Sequence, residues 1–394
     1  MSSPEPHAGG DPFADRVEPV EFVITKGGEV RQAGATIPGS FVEEFRAKAE
    51  ADLFVFGKGI LGLDRLTQSL HLPACRFLSR FPPYRKLLLM PRDHLKTSMC
   101  RALVLHILLQ NADSNPYFPG MEGCNTRILL ANETATNAQH QLRWIMIQLE
   151  ANELLRAFWP HRVWDNARRE SKKWNGEEIM IPRNKEYPEA SIETIGVGGA
   201  VTGRHYDVLL KDDLVTLEAA NSPTLMYNAI EWHKTSRALM DDPDKSLEII
   251  IGTRWAVHDL YSYIERNDPT VEVICRKAVE GGEPIFPEMF SLVTLQRLKD
   301  ELGSLFSLLY MNSAADPELT DFDMNLIRRF SIENGLLRFD ENTLDAVLEE
   351  RASNSPDVNA IPPPKFGKVV KTGEIFDLFK ARKEHLGGRR LRLG

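Results

Sequence analysis

Short apolar runs alternate with longer stretches of helical spacing through the middle of the chain. The run Leu87 to Met90 is bounded by Pro82-Pro83 before it and by Pro91 after it, which favours a buried strand over a helix. Met99 to Leu109 is apolar nearly all round, as a helix sandwiched in a core would be. Thr126 to Asn132 predicts a second strand and Ala138 to Leu155 an amphipathic helix. Further strands are expected at Ser191 to Ile195, Tyr206 to Asp213, Leu247 to Trp255 and Val271 to Lys277, with a helix opening at His258-Asp259-Leu260. Strand and helix thus repeat, with crossovers long enough for an α/β fold built on a mostly parallel sheet covered by helices on both faces.

The flanks have other textures. Residues 1–20 are rich in Ser, Pro, Gly and acids and predict a disordered N-terminus. Phe41 to Phe56 and Leu63 to Phe81 have helical spacing, so residues 21–280 form one sheet domain with an N-terminal helical segment. In that segment Gln68 and His71 are either contacts to a base or plain surface polar residues. From Pro284 the pattern changes. Helices at Leu292 to Leu302 and Leu305 to Met311 predict a small helical subdomain over residues 281–330. Residues 331–394 form a C-terminal extension with a Pro-rich linker, Arg351 to Pro364, and a tail from Lys368 that holds eight Lys/Arg against three Asp/Glu. That tail is either a solvated end or a contact to a phosphate backbone. No internal repeat is present.

Composition narrows this picture without redirecting it. With 394 residues, 42% hydrophobic and 26% charged, the chain has the make-up of a soluble globular protein. No apolar run approaches the roughly 18 residues of a membrane span, and no signal-peptide pattern opens the chain. Cys75, Cys100, Cys124 and Cys275 are scattered with no C-x-x-C pair, which points to reduced, mostly buried thiols in a cytoplasm. A net charge of −8 excludes a protein coated in basic surface but not a local DNA-gripping channel. Arg168, Arg169, Lys172 and Lys173, interleaved with Trp164 and Trp174, are either such a contact or a solvated face.

The candidate chemistry lies at strand ends. Pro91-Arg92-Asp93-His94-Leu95-Lys96-Thr97-Ser98 joins the first strand to its helix, the layout of a phosphate-binding loop. There backbone N–H groups cradle a polyphosphate, Lys96 reaches the outer phosphates and the Thr97 hydroxyl holds Mg²⁺. Met90 and Leu95 stand where G-x-x-x-x-G-K-[ST] has glycine, so the alternative is an ordinary strand-to-helix turn with a solvated lysine. Gly196 to Arg204 is glycine-dense and leads into the strand ending Lys211-Asp212-Asp213. Asp212 is expected to hold Mg²⁺ and Asp213 to orient or deprotonate the attacking water; the alternative is an acidic turn. Thr253, in Gly252-Thr253-Arg254-Trp255, is the natural sensor of a γ-phosphate.

Taken together, Pro91 to Thr97, Gly199 to Arg204, Leu209 to Asp213 and Gly252 to Trp255 resemble the large terminase subunit of tailed bacteriophages over residues 50–325. The phosphate loop of that family commonly reads Pro-Arg-x-His-x-Lys-[Ser/Thr], without the first glycine. The resemblance implies a P-loop NTPase fold of the RecA/ASCE kind. It also implies ATP and Mg²⁺ as cofactors, and a homo-oligomeric ring on the portal protein of a procapsid in the host cytoplasm, pumping double-stranded DNA with a small terminase subunit as partner and no membrane. Carried over by position, Lys96 and Thr97 bind phosphate and Mg²⁺, Asp212 is the Mg²⁺ aspartate, Asp213 the catalytic carboxylate and Thr253 the coupling residue. Arg92 is placed to touch the γ-phosphate. Arg204 is either an arginine finger acting across a ring interface or a surface arginine paired with Asp207.

The family normally carries a nuclease domain after the ATPase, with strand-borne acids chelating two metals. About seventy residues follow Asp323, and they offer no apolar strand ending in Asp. Asp340, Glu341, Asp345, Glu349 and Glu350 have the spacing of a solvated helical face. No nuclease activity is therefore expected of this chain, with either a separately encoded nuclease or a truncated subunit as the explanation. Two other readings keep the motifs: a different DNA-dependent translocase, and a non-hydrolysing DNA- or capsid-binding adaptor.

Overall fold

The computed structural model describes residues 42–200 and 203–313 in full, and beyond them the backbone of the start of a helix at 39–41 and of short strands at 22–24, 30–32, 35–36, 330–333, 336–339 and 370–371. The chain divides into two compact units, Met1–Ala314 and Ala315–Gly394. The expected N-terminal disorder, the linker, most of the basic tail and the acidic helix at 340–350 lie outside the described residues.

The first unit is mixed α/β around a seven-stranded sheet. From edge to edge the strands are Glu272–Cys275, Arg85–Leu89, Leu247–Gly252, Val208–Asp212, Ile128–Asn132, Ile192–Gly196 and Glu178–Ile179. Every pairing is parallel except the last, where Ile179 opposes Ile192 in the antiparallel sense. Parallel strands need covered faces, and side-chain alternation shows how that is met. Leu88, Leu210, Ile249 and Ile251 face the helices Lys96–Leu108 and Ala135–Ala151, in one large core. Leu87, Leu89 and Ile250 face the other way, against Pro223–Ser236 and Leu260–Asn267.

Helix ends follow local side-chain chemistry where the apolar pattern alone ran on. The stretch expected as one helix to Leu155 ends at Ala151, and a second helix, Glu153–Phe158, starts at once. Asn152 caps that second helix by accepting from Leu155 N–H at 3.0 Å, and it donates to Ile60 O at 2.8 Å. Asp52 breaks the Gly39–Ala51 helix in the same way, accepting from the N–H of Phe54 and of Val55. The helix expected over Leu63 to Phe81 forms only at His71–Ser79. Ahead of it, Gly62 is left-handed and Lys58 Nζ takes the carbonyls of Asp64 and Leu66. His71 is neither a base contact nor a surface residue: it is fully buried and its Nδ1 accepts from Thr67 N–H. Gln68 is exposed.

The helices Leu292–Leu302 and Ser304–Leu309 belong to the first unit, and their Leu295, Phe306 and Leu309 join the large core. In the second unit, Phe330–Glu333, Leu336–Phe339 and Val370–Lys371 form an antiparallel sheet. The strand Leu336–Phe339 was not expected; Asp340 follows it in the sequence and lies outside the described residues. Its Leu336-Leu337-Arg338-Phe339 is too short and too interrupted to stand out by periodicity.

Candidate functional site

The parallel strands end together at one edge of the sheet, and in open α/β sheets the crevice outside those carboxyl ends is where ligands bind. Here it is a cleft of about 240 Å³ lined by Arg92, Asp93, Lys96, Thr97, Asp213, Thr253, Trp255 and Leu309. Three segments far apart in sequence supply the polar part: the loop after Leu89 with the helix start it leads into, Asp213 just after Asp212, and Thr253 just after Gly252.

The loop is shaped by backbone bonds and by two left-handed residues. Met90 N–H donates to Gly252 O at 3.1 Å and Arg92 N–H to Leu309 O at 2.9 Å. Asp93 and Leu95 have φ of 62° and 58°, in a region that side-chain-bearing residues enter at a cost. Leu95 occupies the N-cap position of the Lys96–Leu108 helix and provides no side-chain cap, so the first-turn N–H groups remain available to an anion. Lys96 and Thr97 open that helix and face the cleft. Pro91 is buried, and Ser98 lies half-buried in the first turn of the helix. His94 turns away from the cleft. Its ring stacks on Phe290, with centroids 5.0 Å apart and 5° between planes, and its Nδ1–H donates to Arg92 O at 2.8 Å. Burial holds the His94 imidazole down to a pKa of about 4, so it is neutral.

The acids sit opposite. Asp213 has φ of 46°, one residue past its strand, with its N–H on Ile251 O at 2.9 Å. This turn aims its carboxylate at Lys96, and Asp213 Oδ2 lies 3.1 Å from Lys96 Nζ. Asp212 is buried behind it, its Oδ2 accepting from Gln141 Nε2 at 2.8 Å while Oδ1 has no hydrogen-bond partner. Burial raises the Asp212 carboxyl well above the usual range, and the neighbouring Asp213 charge adds to this. Lys96, the Thr97 hydroxyl and Gln141 work in the opposite direction. A buried acid with one orphaned oxygen beside a threonine hydroxyl and a second acid suits a divalent cation such as Mg²⁺. Among the described residues no group of three or more His, Cys, Asp and Glu is placed to hold a metal ion.

Thr253 is buried and its Oγ1 donates to Met90 O at 2.9 Å, tying the end of the Leu247–Gly252 strand to the start of the loop. The Arg92 guanidinium lies 5.6 Å from the centre of the Trp255 ring. Arg204 is outside the cleft. It pairs with Glu193 at 2.6 Å, while Asp207, the partner expected for it, is held by Arg127. Arg168, Lys172 and Lys173 face Glu150, Glu186 and Glu178 respectively. Cys75, Cys100 and Cys124 are buried and Cys275 is exposed, all as free thiols.

Sequence reasoning missed Gln141 and Leu309. Gln141 had a signal: it falls on the stripe of Ala138, Leu142, Ile145 and Leu149, where a polar residue must find a buried partner. Leu309 carried none, because it reaches the cleft through tertiary packing.

No family model and no curated protein matches the chain. Among solved structures it is similar to the HK97 bacteriophage large terminase, with a TM-score of 0.38 and 15% sequence identity, over 77% of this chain and 60% of that one. The chain thus spans less than two thirds of that terminase. No helix among the described residues is long and apolar enough to cross a membrane.

Proposed function

We propose that the chain is an ATP-hydrolysing motor subunit of the large-terminase type, which moves double-stranded DNA into a procapsid. The observation that carries the hydrolytic part is the contact between Lys96 and Asp213 at 3.1 Å, within a cleft that Thr97 and Thr253 also line. The packaging part is supported by the order and spacing of the four motifs along the sequence. Partners on this reading are duplex DNA, the portal protein, a small terminase subunit and further copies of this chain in a ring.

Each residue has a task that follows from its place. The free N–H groups at the start of the Lys96–Leu108 helix hold phosphate oxygens, and Lys96 exchanges Asp213 for the outer phosphates. That exchange frees Asp213 to orient water and take its proton. Gln141 holds Asp212 by one oxygen and leaves the other, with the Thr97 hydroxyl, for Mg²⁺. When bound, Mg²⁺ supplies positive charge to the phosphate oxygens. Arg92 lies at the cleft mouth within reach of the terminal phosphate. Thr253 links any shift of the loop to the Leu247–Gly252 strand. Arg204 is assigned to a neighbouring subunit's site; Arg204→Ala is expected to lower DNA-stimulated turnover while ATP binding stays intact.

The test is ATP turnover with and without duplex DNA. Wild type is expected to hydrolyse ATP, with Lys96→Ala and Asp213→Asn each slower by on the order of a hundredfold or more. Equal background rates in all three chains would sink the hydrolytic reading and favour the DNA- or capsid-binding adaptor.

A further inference from the structure

Tyr261, in the first turn of the Leu260–Asn267 helix, is fully buried against the strand ends of the cleft. Its hydroxyl makes no well-formed hydrogen bond among the described residues: the Leu214 N–H lies toward its oxygen, but its O–H finds no acceptor. Its head lies directly on Gly252: a Cβ built there would come within 2.3 Å of both the ring carbon and the hydroxyl oxygen. Ile251, the residue before Gly252, accepts the N–H of Asp213. The hydroxyl and Asp213 therefore flank the same stretch of backbone. A second orphan is present there, since Asp213 Oδ1 is also buried without a partner while Oδ2 faces Lys96.

A buried phenol whose O–H has no acceptor is worse for the fold than a phenylalanine of the same shape. The group makes sense if its partner arrives in another state. On the hydrolytic reading above, that state is defined by Lys96 leaving Asp213 for phosphate, which strips the carboxylate of its counter-charge. We propose that Tyr261 is a positioning residue for hydrolysis, its hydroxyl donating to the freed Asp213 carboxylate and fixing where that carboxylate meets the attacking water. Gly252 has a matching role, because any side chain there would displace the hydroxyl. Burial pushes the phenol pKa well above its usual value, and the Asp213, Asp259 and Asp212 carboxylates push it further, so the group stays protonated and able to donate.

The inference rests on the hydrolytic reading, and the experiment separates the two. Tyr261→Phe removes one oxygen and keeps the packing. Its expected signature is kcat lower by about ten- to a hundredfold, KM for ATP within about twofold of wild type, and a nucleotide-free Tm equal to or above wild type. In an Asp213→Asn background the same change is expected to have no effect on whatever slow turnover remains or on the nucleotide-bound Tm. Wild-type kcat in Tyr261→Phe would overturn the inference. So would a lower nucleotide-free Tm, which would mean that the hydroxyl already has a partner, or an undiminished effect in the Asp213→Asn background. A wild type that neither binds nor turns over ATP would overturn the hydrolytic reading itself, and this inference with it.

Discussion

Lys211 is the residue whose environment departs furthest from its sequence context. It interrupts an apolar strand one position before the acids, where a solvated lysine has no place, and it is fully buried with Nζ on Glu248 Oε1 at 2.5 Å. Glu248 also takes Arg85 at 2.6 Å. Burial alone would raise the Glu248 carboxyl, but Lys211 and Arg85 outweigh it and hold its pKa down at about 2. The pair joins the strand that bears Asp212 to the strand that leads to Thr253. Glu248→Gln is expected to cost about 3–5 kcal/mol of stability, because it strands a buried ammonium, whereas Lys211→Met combined with Glu248→Leu is expected to recover most of that. Urea denaturation of the three chains checks it; equal midpoints would show that the pair is not coupled. At this scale the sequence exposed the polar groups at the strand ends beside the cleft but not their partners. Lys96, Thr97, Asp212, Asp213 and Thr253 were legible because each ends a strand or opens a helix. Glu248, Gln141 and Tyr261 were not, because a buried polar residue announces itself only once its neighbour in space is known.

The loop from Met90 to Leu95 does its work as an element, and it does so without glycine. Asp93 carries an exposed carboxylate on a left-handed backbone at the edge of the cleft. A negative charge there opposes phosphate, and a side chain there carries conformational strain. Asp93→Gly removes both, and is expected to lower KM for ATP by about three- to tenfold with no loss of Tm. An unchanged or higher KM would show that Asp93 has a binding task of its own. The parallel strands were legible to within about three residues, Leu247–Gly252 ending short of the expected Trp255 and the short edge strand Glu178–Ile179 going unread, because apolar runs between prolines and acids leave little choice of register. Helices were less so. Asn152 and Asp52 stop helices by capping the next one, and an apolar pattern passes through such residues unbroken. The Pro223–Ser236 helix, with Ser222 as its cap and Pro223 in its first turn, carried those signals and was still overlooked, since its apolar stripe is thin.

Across the whole first unit, four buried histidines set a common response to acid. Burial holds His71, His94 and His106 at about 4 and His233 at about 3. The unfolded chain takes these protons near pH 6.5, before the folded chain does, so their contribution is intact above that pH and lost as pH falls. Each adds up to about 1.4 kcal/mol per pH unit of slope, comparable in sum with the whole stability of an ordinary domain. Tm is therefore expected to drop steeply from pH 7 to pH 5, and a flat profile over that range would contradict neutral, buried rings. The α/β class and the parallel sheet were legible from alternation alone, and the helices after Pro284 were expected to pack on the sheet domain, as Leu295, Phe306 and Leu309 do; which of their residues reach the loop was not legible, since only packing shows it. Arg92 N–H is held by Leu309, and His94 lies against Phe290, which meets Tyr310 and through it Phe306. The loop from Met90 to Leu95 is thus clamped from outside the strands that carry it. A fragment cut at Gly303 would keep all seven strands and lose only Leu309 from the cleft, yet its loop would be slack; the shortest piece that holds the cleft in shape must run on to Ser313.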